Sequence, residues 1–96
     1  MTNYEIMFIV RPTLSEEEIK GVGKNFEKIL KDNGAKVTSF KELGQKELAY
    51  EIKKFNNGFY FLINCEAADD KATKEFDRLA LISSDVIRHL IIKIEE

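Results

Sequence analysis

The residue types that most often perform catalysis are few in this chain, and their spacing does not suit it. There is one histidine, His89, set in the apolar run Val86–Ile94, and one cysteine, Cys65, in another apolar run. A nucleophilic thiol needs a neighbouring base or cation to hold it as thiolate, and no histidine or basic residue stands beside Cys65 in sequence. The pair would make a poor metal site, because two ligands fall short of the three or four that zinc takes. Glu16-Glu17-Glu18 and Asp69-Asp70 are more economically read as helix starts, where carboxylates meet the positive end of the helix dipole, than as acid/base pairs. Gly21 and Gly23 fall inside a helical periodicity rather than after a strand, so they do not form a phosphate-cradling loop. The chain reads as a non-enzyme that needs no cofactor and no metal.

Binding chemistry is better represented. The segment Lys36–Lys54 holds five lysines against three glutamates, a balance of +2, in a chain whose net charge is −2. An acidic protein that gathers its positive charge in one segment has the electrostatic footprint of an anion binder. Within it, Gly44–Lys53 reads Gly-Gln-Lys-Glu-Leu-Ala-Tyr-Glu-Ile-Lys: a glycine, then an alternating strand-like run with lysines near both ends. Lys41, Lys46, Lys53 and Lys54 also suit an edge strand, where lysine discourages unwanted pairing. Tyr4, Phe8, Tyr50, Phe55, Phe59, Tyr60 and Phe61 supply aromatic rings. Most must be core, but any exposed beside lysines would suit RNA, whose unpaired bases stack on such rings.

The elements that position these residues follow from periodicity. Ninety-six residues make a single domain, 1–96. Apolar content of 44% and charged content of 33% mark a globular chain rather than a disordered one. The apolar runs are too short to span a bilayer, the first residues lack the basic and apolar regions of a secretory signal, and one cysteine forms no internal disulfide; together these fit the cytoplasm. A strand is expected at Tyr4–Val10, with Tyr4, Ile6, Phe8 and Val10 on one face, ended by Arg11-Pro12. Ser15 with Glu18 forms a capping box, and Ile19, Val22, Phe26, Ile29 and Leu30 make the inner face of the helix it opens. Gly21 and Gly23 weaken that helix by roughly 1 kcal/mol each, better explained as a tolerated loss or as close packing against the sheet than as a hinge. Asn33-Gly34 stops it.

A long extended segment, Lys36–Lys54, is expected next, bent near Gly44. Asn56-Asn57-Gly58 would turn the chain into a central strand, Phe59–Ala67. Asp69 or Asp70 would cap a helix over Lys71–Leu81, with Ala72, Phe76, Leu79 and Ala80 inward. Val86–Ile94 is the last strand. The order β-α-β-β-α-β, with right-handed crossovers, predicts an α+β, ferredoxin-like split β-α-β sandwich. Its four-stranded antiparallel sheet would have the order 4-1-3-2 and both helices on one face. Cys65 and His89 would then be separated by the first strand, and the lysine-bearing second strand would form an edge.

The decamer Gly44–Lys53 resembles the signature of bacterial small-subunit ribosomal protein six: glycine, a basic residue two on, then Leu-Ala/Ser-Tyr-x-Ile. The resemblance extends to Tyr4-Glu5, to Pro12 with Leu14, to Asn33-Gly34-Ala35, to Glu42-Leu43, and to Gly58 with the aromatics after it. It implies a ferredoxin-like fold and a structural, non-catalytic role in the cytoplasmic ribosome. It also implies binding to the central domain of small-subunit ribosomal RNA as a heterodimer with small-subunit ribosomal protein eighteen. By resemblance, Tyr4, Lys36, Lys46, Lys53, Lys54 and Arg88 are the residues expected to touch RNA or partner. Members often carry basic residues after the initiator methionine and at position 47. Thr2, Asn3 and Glu47 stand there in this chain, which predicts weaker RNA binding by the protein alone. Many members also carry a C-terminal tail, and with Glu95-Glu96 last, no tail function is expected here.

Two other readings compete. Asn57–Ile63 partly resembles the third-strand motif of RNA-recognition modules, in which aromatics on the open sheet face stack bases. It departs from that motif at Asn57, where a basic residue is usual, and at Tyr60, where a small one is. Exposure of Phe59 and Phe61 on the helix-free face would favour this reading, and burial under the helices would remove it. The other is a small-molecule regulatory or dimerisation module, since this architecture hosts many functions.

Overall fold

The computed structural model describes residues 2–94. Its elements are β1 (Thr2–Val10), α1 (Glu16–Asp32), β2 (Lys36–Ile52), β3 (Phe55–Ala67), α2 (Lys71–Ile82) and β4 (Val86–Ile94). All neighbouring strands are antiparallel, in the order β2-β3-β1-β4. This is the expected ferredoxin-like order, with β3 and β1 inside and β2 and β4 at the edges. Glu95 and Glu96, on which the expectation of a missing tail falls, lie outside the described residues.

The helices form where the caps and the apolar spacing direct. Ser15 Oγ accepts from the Glu18 N–H at 3.2 Å, and Glu18 Oε1 accepts from the Ser15 N–H at 3.3 Å, closing the capping box. Gly34, at φ +94°, takes the left-handed conformation that ends α1. At α2, Asp70 occupies the N-cap position without a side-chain cap bond, while Asp69 Oδ1 accepts from the Lys71 N–H at 3.0 Å. Asp70 instead pairs with Lys74 at 3.1 Å.

Both helices cover one sheet face. Ile6, Phe8 and Val10 of β1, Phe61 and Ile63 of β3, Leu30 of α1 and Phe76 of α2 are completely buried there. Four rings form the centre: Phe8 lies 5.4 Å from Phe26, 5.0 Å from Phe61 and 5.6 Å from Phe76, and Phe26 lies 5.0 Å from Phe76. Each buried Phe side chain contributes about 1.5–3 kcal/mol, and the offset and tilted ring geometries add to that. Gly23 is what lets α1 come this close: a Cβ there would lie 2.6 Å from the Phe61 ring. Gly21, one residue pair earlier, has open space around it, so the packing explanation holds for Gly23 alone.

The hairpin differs from expectation. The turn is Lys53-Lys54, with φ of 50° and 70°, and Asn56, Asn57 and Gly58 already belong to β3. Positive φ at both central residues is the type I′ geometry, whose twist matches the flanking strands. Asn-Gly is the better sequence for such a turn, but Gly58 has another duty. A Cβ on it would collide with the Ile9 side chain, so this glycine serves packing on the helix-free face. The strand pairing of Ile52 with Phe55 leaves Lys53-Lys54 to make the turn.

Candidate nucleic-acid interface

The bend expected near Gly44 is one of three irregularities in β2. The register with β3 shifts between Val37 and Ser39, between Glu42 and Gly44, and between Glu47 and Ile52. Gly44 sits at φ +91°, a conformation that costs a side chain roughly 1–2 kcal/mol. Extra residues on one strand bend it and increase its twist. The result is that the end of β2 leaves the sheet edge and curls over the helix-free face. Leu48, Ala49, Tyr50 and Ile52 line a cleft of about 270 Å³ with Ile9 of β1, Tyr60 of β3 and Arg88 of β4. Ile9 is buried even though it faces away from the helices, because this flap covers it.

Arg88 meets the flap across the sheet. Its Nη1 donates to Tyr50 Oη at 3.3 Å. A bulge in the β1–β4 pairing between Ile9 and Val10 leaves Ile87 unpaired just before Arg88, which stands opposite Ile9. Lys53, at the hairpin tip, borders the same shallow depression as Arg88. Residues far apart in sequence, Lys53 and Arg88, thus share one exposed basic surface, with Lys54 next to Lys53 in the turn. Lys46 lies on β2 before the last shift, with Nζ 5.9 Å from the centre of the Tyr60 ring, a contact that holds an ammonium beside an aromatic face. Among the described residues, none of these four cations is ion-paired, whereas Arg11, Lys31, Lys74 and Arg78 are.

Lys36 and Tyr4 are elsewhere. Lys36 opens β2 opposite Glu66, at the other end of the strand from the hairpin. Tyr4 stands between Cys65 and Lys93 and is 9% exposed, part of the core under the helices. The six residues therefore divide into four near the hairpin end and two at the opposite end. Nothing in the sequence signalled that Tyr50 and Arg88 would touch, because the contact spans 38 positions and depends on the curl of β2.

The residues considered for catalysis are held in structural roles. His89 Nε2 lies 2.6 Å from Asp77 Oδ1 on α2, and its ring packs edge-on against Phe76 at 6.0 Å. Cys65 is buried, and desolvation pushes its thiol above the ordinary value. Cys65 sits opposite Tyr4 and His89 opposite Phe8, so β1 separates them. Phe61 is fully buried beneath the helices and Phe59 packs beside it, 5.1 Å between centroids. Neither can stack on a base from the open face, which removes the RNA-recognition-module reading.

A family model described as ribosomal protein S6 matches residues 3–93. The chain belongs to the ribosomal protein S6 family. A crystal structure of 30S ribosomal protein S6 from Thermotoga maritima superposes with a TM-score of 0.91 at 30% identity, covering 97% of this chain and 87% of that one. An Arabidopsis thaliana protein matches at a TM-score of 0.55 and 10% identity, over 100% of this chain and 95% of that one, a likeness of fold alone. The S6 assignment makes the chain a structural component of the ribosome rather than an enzyme. It also accounts for the decamer: in this S6 chain Leu48, Tyr50 and Ile52 line the cleft under the flap, while Lys46 and Lys53 remain exposed.

Proposed function

We propose that this S6-family protein binds the central domain of small-subunit ribosomal RNA as a heterodimer with small-subunit ribosomal protein eighteen, in the cytoplasmic ribosome. The observation that carries the reading is the group of exposed, unpaired cations at the hairpin end: Lys46, Lys53, Lys54 and Arg88. Lysine is a point-charge phosphate ligand and arginine a forked one. Gathered around a flap pinned by the Tyr50–Arg88 hydrogen bond, they present positive charge from a defined surface.

Charge also argues for partner dependence. At net −2, the protein alone has little non-specific attraction for RNA, and Glu47 stands exposed beside Lys46. A basic partner would supply most of the counterion release, and this chain a positioned minority of the phosphate contacts.

The test is a salt titration of the ternary complex formed by this protein, the partner protein and a central-domain RNA fragment. Each phosphate contact contributes about 0.7–0.9 to the magnitude of the slope of log affinity against log salt. Lys46→Ala and Lys53→Ala are expected to weaken assembly and to flatten the slope by about that amount each, with unchanged melting of the free protein. An unchanged slope in both variants refutes phosphate contact by this group. Tight, salt-sensitive RNA binding without the partner refutes the partner-dependent model.

A further inference from the structure

The cleft under the flap exists because β2 carries more residues than β3 can pair. Glu47 stands opposite Asn57 and Ile52 opposite Phe55, so the four residues Leu48–Glu51 face the single residue Asn56. The surplus lifts off the edge as the flap, and bulges often re-aim side chains in this way beside functional sites. The space beneath is about 270 Å³, slightly below the ~300 Å³ at which pockets for drug-sized molecules begin, and it suits one flat ring system. Met7, Ile9, Leu48 and Ile52 give it apolar walls, and Tyr50 and Tyr60 give it aromatic surface. Gly44 stands opposite Tyr60 and adds no side chain beside that ring.

The charge that lines the cleft is of one sign. Arg88 is on the lining, and no carboxylate is among the described residues that form it. Lys46 holds its ammonium 5.9 Å from the centre of the Tyr60 ring, and Lys53 borders the adjoining depression with Arg88. Tyr50 is 65% exposed at the mouth and accepts from one Arg88 nitrogen at 3.3 Å, which leaves the other N–H groups of that guanidinium for a ligand. An apolar, aromatic slot rimmed by cations matches a nucleotide, a flat ring tied to a phosphate. A side chain from a protein partner would fill the apolar space but leave the cations without a matching charge.

We propose that the cleft takes one unpaired base of the RNA, with the ring beside Tyr60 under the flap and the phosphate on Arg88. This rests on the RNA-binding reading above and adds a base contact to its phosphate contacts. It uses a bulge-made slot and the tyrosines that line it, whereas RNA-recognition modules use rings on a flat central strand. Inserting a ring displaces no counterions, so its loss lowers affinity without changing the salt slope.

The test uses the ternary complex of the full chain, the partner protein and the central-domain RNA fragment. Tyr60→Leu keeps the wall apolar and removes the ring. It is expected to weaken assembly about 5- to 150-fold, the range for one base–aromatic stack, at an unchanged salt slope, while Tyr60→Phe assembles like the wild type. Ala49→Leu fills the cleft from an exposed position and is expected to act in the same direction, which keeps the test open should Tyr60→Leu fold poorly. Base-specific chemical probing should show one unpaired base protected by the wild type and made reactive again by both variants. Wild-type affinity in both variants overturns the proposal. Weaker assembly in which no base regains reactivity also overturns it, and would assign the cleft to a side chain of the partner protein. Failure of the wild type to assemble with RNA overturns the phosphate reading and the base contact together. A slope flattened by Lys53→Ala, with both cleft variants neutral, overturns the base contact alone.

Discussion

Gly21 and Gly23 lie on the same helix, two residues apart, and differ in what a methyl group would meet. At Gly21 a Cβ has nothing within 4 Å. At Gly23 it would lie 2.6 Å and 2.9 Å from two atoms of the Phe61 ring and 3.1 Å from Phe40. Phe61 cannot easily move aside, because it is stacked on Phe8 at 5.0 Å and 16° and flanked by Phe40 and Phe59. Replacing glycine by alanine in a helix gains roughly 1 kcal/mol in propensity at either position. Overpacking a filled core costs about 1–3 kcal/mol, and that cost falls on Gly23→Ala only. The propensity gain is common to both, so the difference between the variants isolates the steric cost. Gly21→Ala is expected to stabilise by roughly 1 kcal/mol, and Gly23→Ala to fall about 1–3 kcal/mol below it. For a domain of this size 1 kcal/mol moves Tm by about 4–8 °C, so the two thermal melts should separate by at least about 4 °C. Urea titration with equal m-values would confirm that stability alone has changed. Coincident melts, or Gly23→Ala as the more stable variant, would refute the claim that Gly23 is required for the approach of α1 to the sheet.

Other consequences concern the turn, the cap and the thiol. Lys53→Asn with Lys54→Gly relieves two positive-φ lysines and is expected to raise stability by roughly 1–2 kcal/mol while weakening ternary-complex assembly; a loss of stability on chemical denaturation would count against the type I′ assignment. Ser15→Ala removes the capping-box acceptor and should cost about 1 kcal/mol, measured as a lower urea midpoint with an unchanged slope. Burial holds the Cys65 thiol above its ordinary value of 9.0, so above the unfolded value the native state keeps a proton that the unfolded chain has lost. That contribution is complete below the unfolded value and is lost as pH rises through the folded one. The stability of the wild type relative to Cys65→Ala should therefore decline as pH climbs past about 9, and a flat difference would show that the thiol does not titrate with folding.

Element order and most of the core were legible because they rest on local rules. Alternation placed Tyr4, Ile6, Phe8 and Val10 on one face of β1, and helical spacing placed Ile19, Phe26 and Leu30 inward; all are buried. Ser15 with Glu18 and Asn33-Gly34 marked the ends of α1 because capping is a matter of neighbouring residues. The turn was misplaced because Asn57-Gly58 is locally the better turn sequence, and only strand pairing shows that Gly58 is needed against Ile9. The choice between two acceptable turns was made by register, which is a property of two strands together.

The candidate interface divides in the same way. Composition and the decamer identified a lysine-bearing segment and its family, since charge balance and motif are written along the chain. Which lysines stand together was decided by tertiary structure. The three shifts in β2 curl its end across the sheet, bring Tyr50 to Arg88 and place Lys53 beside it, while Lys36 stays at the far end and Tyr4 turns into the core. A bulge redirects everything beyond it by an amount that depends on the partner strand's register. The sequence by itself therefore determined the elements, the core face and the family of this protein. Only the folded sheet decided which charges share a surface.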